Sequence, residues 1–369
     1  MKLRVGLDIG GTKTAALVVD EAGRRLGEAV RPTDVRDPGC LVAGTVETVD
    51  RALAAAGATR ADLMAAGVGI PGQVDPAGGL VRLAVNLNLL RPYPLGEALR
   101  AALGVPVTLE NDVRAAAWGA YHWVAVNVTE SASSDAGGGG WQVTGGKWQS
   151  ESASSDAGLV AARLEPVSED ADSVSGPSTS AHGSLSSLAY LSIGTGISAG
   201  LVLDGRLYRG AHGMAGEIGH IPLDPAGPRC ACGSYGCLEA VAAGPAIAAQ
   251  AAASVPAGER PLSTGEVYAL AAAAPHTPGQ AEAERIVARA AGHLSRALYL
   301  LVMAYDVERV VLGGGVTRAG SAFERPLRAA LATLRADSPL AASMLPDEKV
   351  VIVPPDFNAG VMGAVFLAA

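Results

Sequence analysis

The feature that most limits how this chain can fold is a segment that occurs twice, far apart. Ile9-Gly10-Gly11-Thr12-Lys13-Thr14-Ala15-Ala16-Leu17-Val18-Val19-Asp20 reads against Ile193-Gly194-Thr195-Gly196-Ile197-Ser198-Ala199-Gly200-Leu201-Val202-Leu203-Asp204. Each copy follows an apolar run, Leu3 to Leu7 and Ala189 to Leu191, and leads into a turn and further strand-like residues. The pattern is strand, glycine-rich tight turn, strand. Glycines at such a turn let the backbone come close to a ligand, so that amide N–H groups and Thr or Ser hydroxyls can hold phosphate oxygens. Neither copy carries the Gly-x-x-x-x-Gly-Lys-Ser/Thr loop and neither runs into a helix, which removes the P-loop and dinucleotide-binding readings. One such turn alone is an ordinary hairpin. The matched pair predicts an α/β fold of two similar domains facing each other across a nucleotide cleft, and 369 residues suffice for about two domains.

A third glycine cluster, Gly313-Gly314-Gly315, follows the apolar run Val310-Val311-Leu312 and precedes a helix predicted around Ala322 to Arg335. Such a turn can pass under an adenine or ribose; a plain strand-to-helix connection has the same appearance.

Between His220 and Glu239 the chain gathers three of its four cysteines: Gly216-Glu217-Ile218-Gly219-His220, a spacer, then Cys230-Ala231-Cys232-Gly233-Ser234-Tyr235-Gly236-Cys237-Leu238-Glu239. One imidazole and three thiols, His220, Cys230, Cys232 and Cys237, are a four-coordinate zinc set. Gly233 and Gly236 let thiols close in sequence converge on one ion. Free buried cysteines or a disulfide are the plainer alternatives, although Cys230 and Cys232 are badly spaced to bridge each other. With four protein ligands the zinc would be structural, shaping a loop and not activating water. Cys40 has no local partner and reads as structural.

Val105-Pro106-Val107-Thr108-Leu109 is a predicted short strand that ends in Glu110-Asn111-Asp112, with a helix following from Val113. A carboxylate at a strand end beside a helix start is placed to face a cleft. Asp112 could instead serve as the helix cap, but a cap alone does not account for three consecutive polar residues there. As a base, Asp112 would accept a hydroxyl proton while the oxygen attacks phosphorus.

The formal charge of −8 and the lack of any lysine/arginine run give no footprint for nucleic acid. Asp8 arrives before a signal-peptide apolar core could form. No uninterrupted apolar span approaches the roughly 20 residues of a membrane helix. A cytoplasmic, reduced setting without a membrane or nucleic-acid partner is the expectation.

These motifs together resemble the ROK family of sugar kinases and repressors. The resemblance covers essentially everything except residues 121–187 and implies the duplicated ribonuclease H-like fold of actin and hexokinase. Residues 1–112 with 355–369 would form the smaller domain, and 113–354 the larger, zinc-loop domain. It further implies Asp112 as general base, with Asn86, Asn111, Asp112, Glu217, His220 and Glu239 binding sugar hydroxyls. His220 would ligate zinc and turn its other edge toward the sugar. Asp8 would help hold Mg²⁺, while Gly10, Gly11, Thr12, Lys13, Thr195 and Gly196 surround the ATP phosphates and Gly314 and Gly315 lie along the adenosine. The activity implied is ATP-dependent phosphorylation of a hexose 6-hydroxyl, glucose first, in a homodimer. N-acetylglucosamine, N-acetylmannosamine and fructose remain alternatives, and the sequence does not discriminate ATP from polyphosphate as donor. The family's repressors carry a DNA-reading domain ahead of the first glycine turn, and only seven residues precede Asp8 here. A sugar sensor without catalysis is disfavoured by the retained Asp112 and both glycine turns.

Departures from the family pattern fall at Asn88-Leu89-Leu90, where Pro-Gly-Trp is usual, and at Arg114, where a small or amide residue is. Residues 121–187 are rich in Ser, Gly and Asp, and Glu130-Ser-Ala-Ser-Ser-Asp-Ala-Gly137 recurs verbatim at Glu151 to Gly158. That composition predicts a disordered insertion, although Val124, Val126 and Val128 alternate like a short strand. Elsewhere Ser263-Thr264-Gly265-Glu266 predicts a capped helix start. Apolar spacing predicts a helix over 280–305, with His293 a packed or solvated side chain, and 358–369 a final helix returning to the first domain.

Overall fold

A computed structural model describes residues 1–130, 141–143, 185–253 and 260–368. The chain divides into two compact units, one holding Met1–Ala115, the described residues of Tyr121–Leu185 and those from Gly360 on, the other Ala116–Ala120 and Ser186–Ala359.

The first unit runs β1 (Leu3–Ile9), β2 (Lys13–Asp20), β3 (Arg25–Pro32), α1 (Pro38–Ala55), β4 (Leu63–Ile70), the hairpin β5 (Gln73–Asp75) and β6 (Leu80–Leu83), α2 (Leu95–Leu103), β7 (Val107–Asn111) and the start of α3 (Asp112–Asn127). Its five-stranded sheet has the order β3-β2-β1-β4-β7. β1, β2 and β3 are antiparallel neighbours, while β4 runs parallel to both β1 and β7. β1, β2 and β4 are apolar almost throughout because both sheet faces are covered, whereas β3, at the edge, is only partly buried. Helix α1 starts where Asp37 accepts from the Cys40 amide and Pro38 presets the first turn. It buries Leu41, Val49, Ala52 and Leu53 against the sheet core.

α3 runs on to Asn127, into the segment that composition assigns to disorder. Its buried Trp123 and Val124 followed by exposed Ala125 and Val126 show helical periodicity, so Val124 and Val126 do not belong to a strand as their alternation suggests. A strand does begin one residue further: β8 (Val128–Glu130) pairs antiparallel with β9 (Trp141–Val143). The duplicated segments, apart from Glu130, lie outside the described residues.

The second unit repeats the plan with β10 (Leu188–Ile193), β11 (Ile197–Leu203), β12 (Arg206–Tyr208), α4 (Leu238–Ala242), α5 (Gly244–Ala252), α6 (Thr264–Ala271), α7 (Gln280–Tyr305), β13 (Arg309–Gly313), α8 (Ser321–Asp337), α9 (Pro339–Met344) and β14 (Val350–Ile352). Its sheet order is β12-β11-β10-β13-β14, with the same sequence of two antiparallel and two parallel pairings. Two copies of one topology account for the repeated sequence segment: each copy is the first hairpin of its sheet. Helix α6 opens with the expected reciprocal cap between Ser263 and Glu266. α7 is long and apolar enough, by length and composition, to cross a membrane, although charged residues such as Arg289 and Arg296 interrupt its apolar run. Its most apolar window is 61% buried, and Ile286, Leu294, Leu298 and Leu301 belong to the core of the second unit. His293 on the same helix is buried. The last helix, α10 (Ala359–Leu367), packs on the first sheet: added Cβ atoms at Gly6 and Gly67 would overlap its backbone.

Candidate functional site

In the first unit the carboxyl ends of three strands line up. The pairing register sets Asp8 of β1 opposite Gly69 of β4, and Gly69 opposite Glu110 of β7. Beyond that row come the turn Gly10-Gly11-Thr12 and the Asn111-Asp112 junction, at the sheet edge where α/β folds bind their ligands. The turn is closed by Gly10 N–H donating to the Lys13 carbonyl (2.9 Å). It is braced from β3's end by the Thr33 hydroxyl donating to the Gly10 carbonyl (2.6 Å). Thr12 and Lys13 are exposed. Gly11 is needed for contact, since a Cβ there would lie 3.0 Å from the Asn86 carbonyl oxygen. Asn86, exposed on a short turn after β6, is thereby brought against the glycine turn. Asn88, two residues on, adopts a left-handed conformation (φ 56°), and its Nδ2 donates to the Val35 carbonyl (3.4 Å).

Asp8 and Asp112 share this end of the unit. Burial, and then the charge of Asp112, push the Asp8 carboxyl up to about 6 against the opposing pull of Lys13. Two carboxylates under that mutual strain are a fit place for a divalent cation carried by nucleotide phosphates. The helix cap falls to Asn111, whose Oδ1 accepts from the Val113 and Arg114 amides (3.1 and 3.2 Å). Its Nδ2 donates to Asp112 Oδ1 (3.0 Å). Asp112 is the first helical residue, and its Oδ1 also accepts from the Val113 amide (2.9 Å).

In the second unit the matching turn, Gly194-Thr195-Gly196, closes by Gly194 N–H donating to the Gly196 carbonyl (2.9 Å), with Thr195 exposed. The Gly194 carbonyl accepts from Gly244 N–H at the start of α5 (2.9 Å). The Gly315 amide nitrogen lies 3.7 Å from where a Gly194 Cβ would be. The second hairpin turn and the third glycine cluster are thus neighbours. Gly314 sits at φ +103° with its α-carbon face against the Ile193 backbone, whereas the space over Gly315 is open. Glu239, at the start of α4, accepts from the Ile197 amide (3.1 Å) and fills the space over Gly196.

The segment 216–220 lies along β11. Ala199 N–H donates to the Gly216 carbonyl (2.7 Å), and side chains at 216 or 219 would overlap the backbone of β11. This packing sets out Glu217 and His220, both exposed. His220 joins Cys230, Cys232 and Cys237, whose candidate ligand atoms all lie within 4.8 Å of one another. His220 Nδ1 is 3.6 Å from Cys230 Sγ, and Cys232 Sγ is 3.6 Å from Cys237 Sγ. Tetrahedral bonds of zinc to sulfur and nitrogen give edges of roughly 3.5–3.8 Å, so the donor set fits the metal. Because Nδ1 faces the thiols, Nε2 lies on the opposite ring edge. None of the four cysteines is in a disulfide. Short bridges between Pro222 and Cys237 and between Arg229 and Tyr235 bring the thiols together, with Arg289 of α7 anchoring Asp224 of the spacer (2.8 Å). Burial pushes the metal-free Cys237 thiol up to about 12, so zinc binding there must expel a proton.

Sequence reasoning missed one feature of the first unit. Arg114 and Glu110 form an ion pair with Nε to Oε1 at 2.6 Å, both side chains buried. The signal was available: two opposite charges four residues apart, spanning the strand–helix junction of an otherwise apolar stretch.

The ROK family model matches residues 4–132 and 167–369. A glucokinase from Halalkalibacterium halodurans is 27% identical over 88% of this chain and 83% of its own length. An N-acetylmannosamine kinase from Yersinia pseudotuberculosis is 30% identical over 88% and 87% respectively. Among solved structures, a ROK family glucokinase from Streptomyces griseus in complex with glucose and AMPPNP superposes with a TM-score of 0.67 at 26% identity, covering 99% of both chains. With two copies of the ribonuclease H-like sheet and a family match over nearly its whole length, the chain belongs to the ROK family.

Proposed function

We propose that this protein is an ATP-dependent kinase acting on the 6-hydroxyl of a hexose, glucose being the first candidate. The observation that carries this reading is the pairing of Asp8 and Asp112 at the strand ends beside the Gly10–Lys13 turn. Asp112 takes the hydroxyl proton as the sugar oxygen bonds to the terminal phosphorus and ADP departs with the bridging electrons. Asn111, hydrogen-bonded to Asp112, and Asn86 are the first unit's sugar-binding residues; Glu217, His220 and Glu239 are those of the second. Gly10, Gly11, Thr12, Lys13, Thr195 and Gly196 hold phosphates, and Gly314 and Gly315 border the adenosine. Asp8 holds Mg²⁺, which supplies charge neutralisation at the phosphates. Zinc on His220, Cys230, Cys232 and Cys237 shapes the loop that presents Glu217 and the free edge of His220.

The glucokinase and N-acetylmannosamine kinase relatives are similar to this chain to nearly the same degree, which supports N-acetylhexosamines as the second substrate class. Coupled ADP release from Mg–ATP, measured across hexoses and N-acetylhexosamines, tests both. Turnover with glucose at the highest kcat/KM is expected. Hexose binding with no ADP release from any sugar would replace the kinase with a sensor.

A further inference from the structure

We propose that Arg114 is a positioning residue for Asp112, acting through Glu110 and Asn111. This rests on the reading of Asp112 as general base. Glu110 is the last buried side chain of β7 and Arg114 is the third residue of α3, so their ion pair ties the strand's end to the helix's first turn across Asp112. Their side chains are 0% and 4% exposed. A charge pair sealed from water is a poor source of stability, because losing hydration offsets most of the attraction. What it does supply is a fixed geometry. Glu110 Oε1 accepts both from Arg114 Nε (2.6 Å) and from the Asn111 backbone amide (2.9 Å). The Asn111 side chain, set by that backbone, accepts from the Val113 and Arg114 amides and donates to Asp112 Oδ1 and to the Gly72 carbonyl (3.0 and 3.3 Å). Each link constrains the next, and the chain of contacts ends on the carboxylate that must meet the substrate hydroxyl. Displacing a reacting group slightly costs rate more than binding.

The test compares Glu110→Gln/Arg114→Met, which removes both charges at nearly constant volume, with Arg114→Met, Arg114→Lys and Asp112→Asn, each checked for folding by circular dichroism and thermal melting. The double variant is expected to fold and to lose tenfold or more in kcat, with KM for hexose and for ATP within threefold of the parent. Arg114→Lys, whose ammonium still reaches Glu110, is expected to recover most of the kcat lost in Arg114→Met, a rescue that a volume-filling role would not give. The proposal is overturned by a folded double variant with parental kcat, by KM rising while kcat holds, or by a lysine variant as slow as the methionine one. If Asp112→Asn is inactive while the pair variants are normal, only the positioning role falls. If Asp112→Asn turns over normally, the base assignment fails and this proposal with it.

Discussion

Asp8 and Asp112 press on each other: burial and the neighbouring charge together raise the Asp8 carboxyl from 3.8 to about 6. The folded metal-free protein therefore holds a proton on Asp8 that the unfolded chain has released, between roughly pH 4 and 6. By linkage, that contribution to stability is complete below pH 4 and is lost as pH rises through about 6, a loss of about 2–3 kcal/mol. In EDTA and without nucleotide, urea midpoints are expected to fall across this window. Asp8→Asn, which cannot ionise, should flatten the slope. A parent and variant with parallel pH profiles would show that Asp8 is not strained.

Asp112→Asn keeps the shape of the side chain and removes its basicity. Turnover is expected to fall by about 10³-fold, in the range a positioned general base supplies. Hexose affinity by calorimetry should stay within a few-fold, because the amide can still hydrogen-bond a hydroxyl. Loss of sugar binding in step with turnover would assign Asp112 to binding alone.

Zinc removal is expected to act on the sugar and not on the nucleotide. Cys237→Ser should release the metal, read as the loss of one zinc per chain by elemental analysis. The core contacts of Ile218 and Leu238 should keep the second unit folded. KM for hexose should rise more than tenfold, since Glu217 and His220 sit on the loop the metal shapes, while KM for ATP changes little. Equal effects on both substrates would point to general unfolding of the unit.

How much could be read from the sequence follows from where the information is local. The two glycine hairpins and the Ser263–Glu266 cap are written in consecutive residues, and the structure has them in the expected places. The donor set of the metal cluster was also legible, because glycines and thiols at short spacing have few other arrangements. For the Glu110–Arg114 pair only the four-residue spacing was local; that both charges are buried depends on packing brought from elsewhere in the chain. Val124 and Val126 misled for a related reason. A three-residue alternation fits strand or helix equally, and the helix wins because Trp123 and Val124 bury side by side.

Packing of α10 onto the first sheet rests on the absence of side chains at two strand positions. A Cβ on Gly67 would overlap the Ala364 carbonyl oxygen, and backbone cannot move aside as a flexible side chain can. Gly67→Ala is expected to cost about 3 kcal/mol in urea unfolding, at the upper end for overpacking. A change below about 0.5 kcal/mol would mean that α10 does not seat there.

Gly196 offers a sharper test of the second unit, because its neighbour is a side chain proposed to act. A Cβ at 196 would lie 2.5 Å from Glu239 Oε2, whose carboxylate is held by the Ile197 amide at 3.1 Å. Gly196 has no left-handed φ, so alanine adds a collision without backbone strain. Gly196→Ala should therefore swing Glu239 away from Ile197 and lower kcat/KM for hexose by about 10–100-fold, the scale of one lost charged hydrogen bond. Glu239→Ala alone should cost a similar amount. Combining them should cost little more than Glu239→Ala by itself, because the second substitution acts only through the first residue's carboxylate. Additive losses in the double variant would show instead that Gly196 matters for the turn's own contact with phosphate, independent of Glu239.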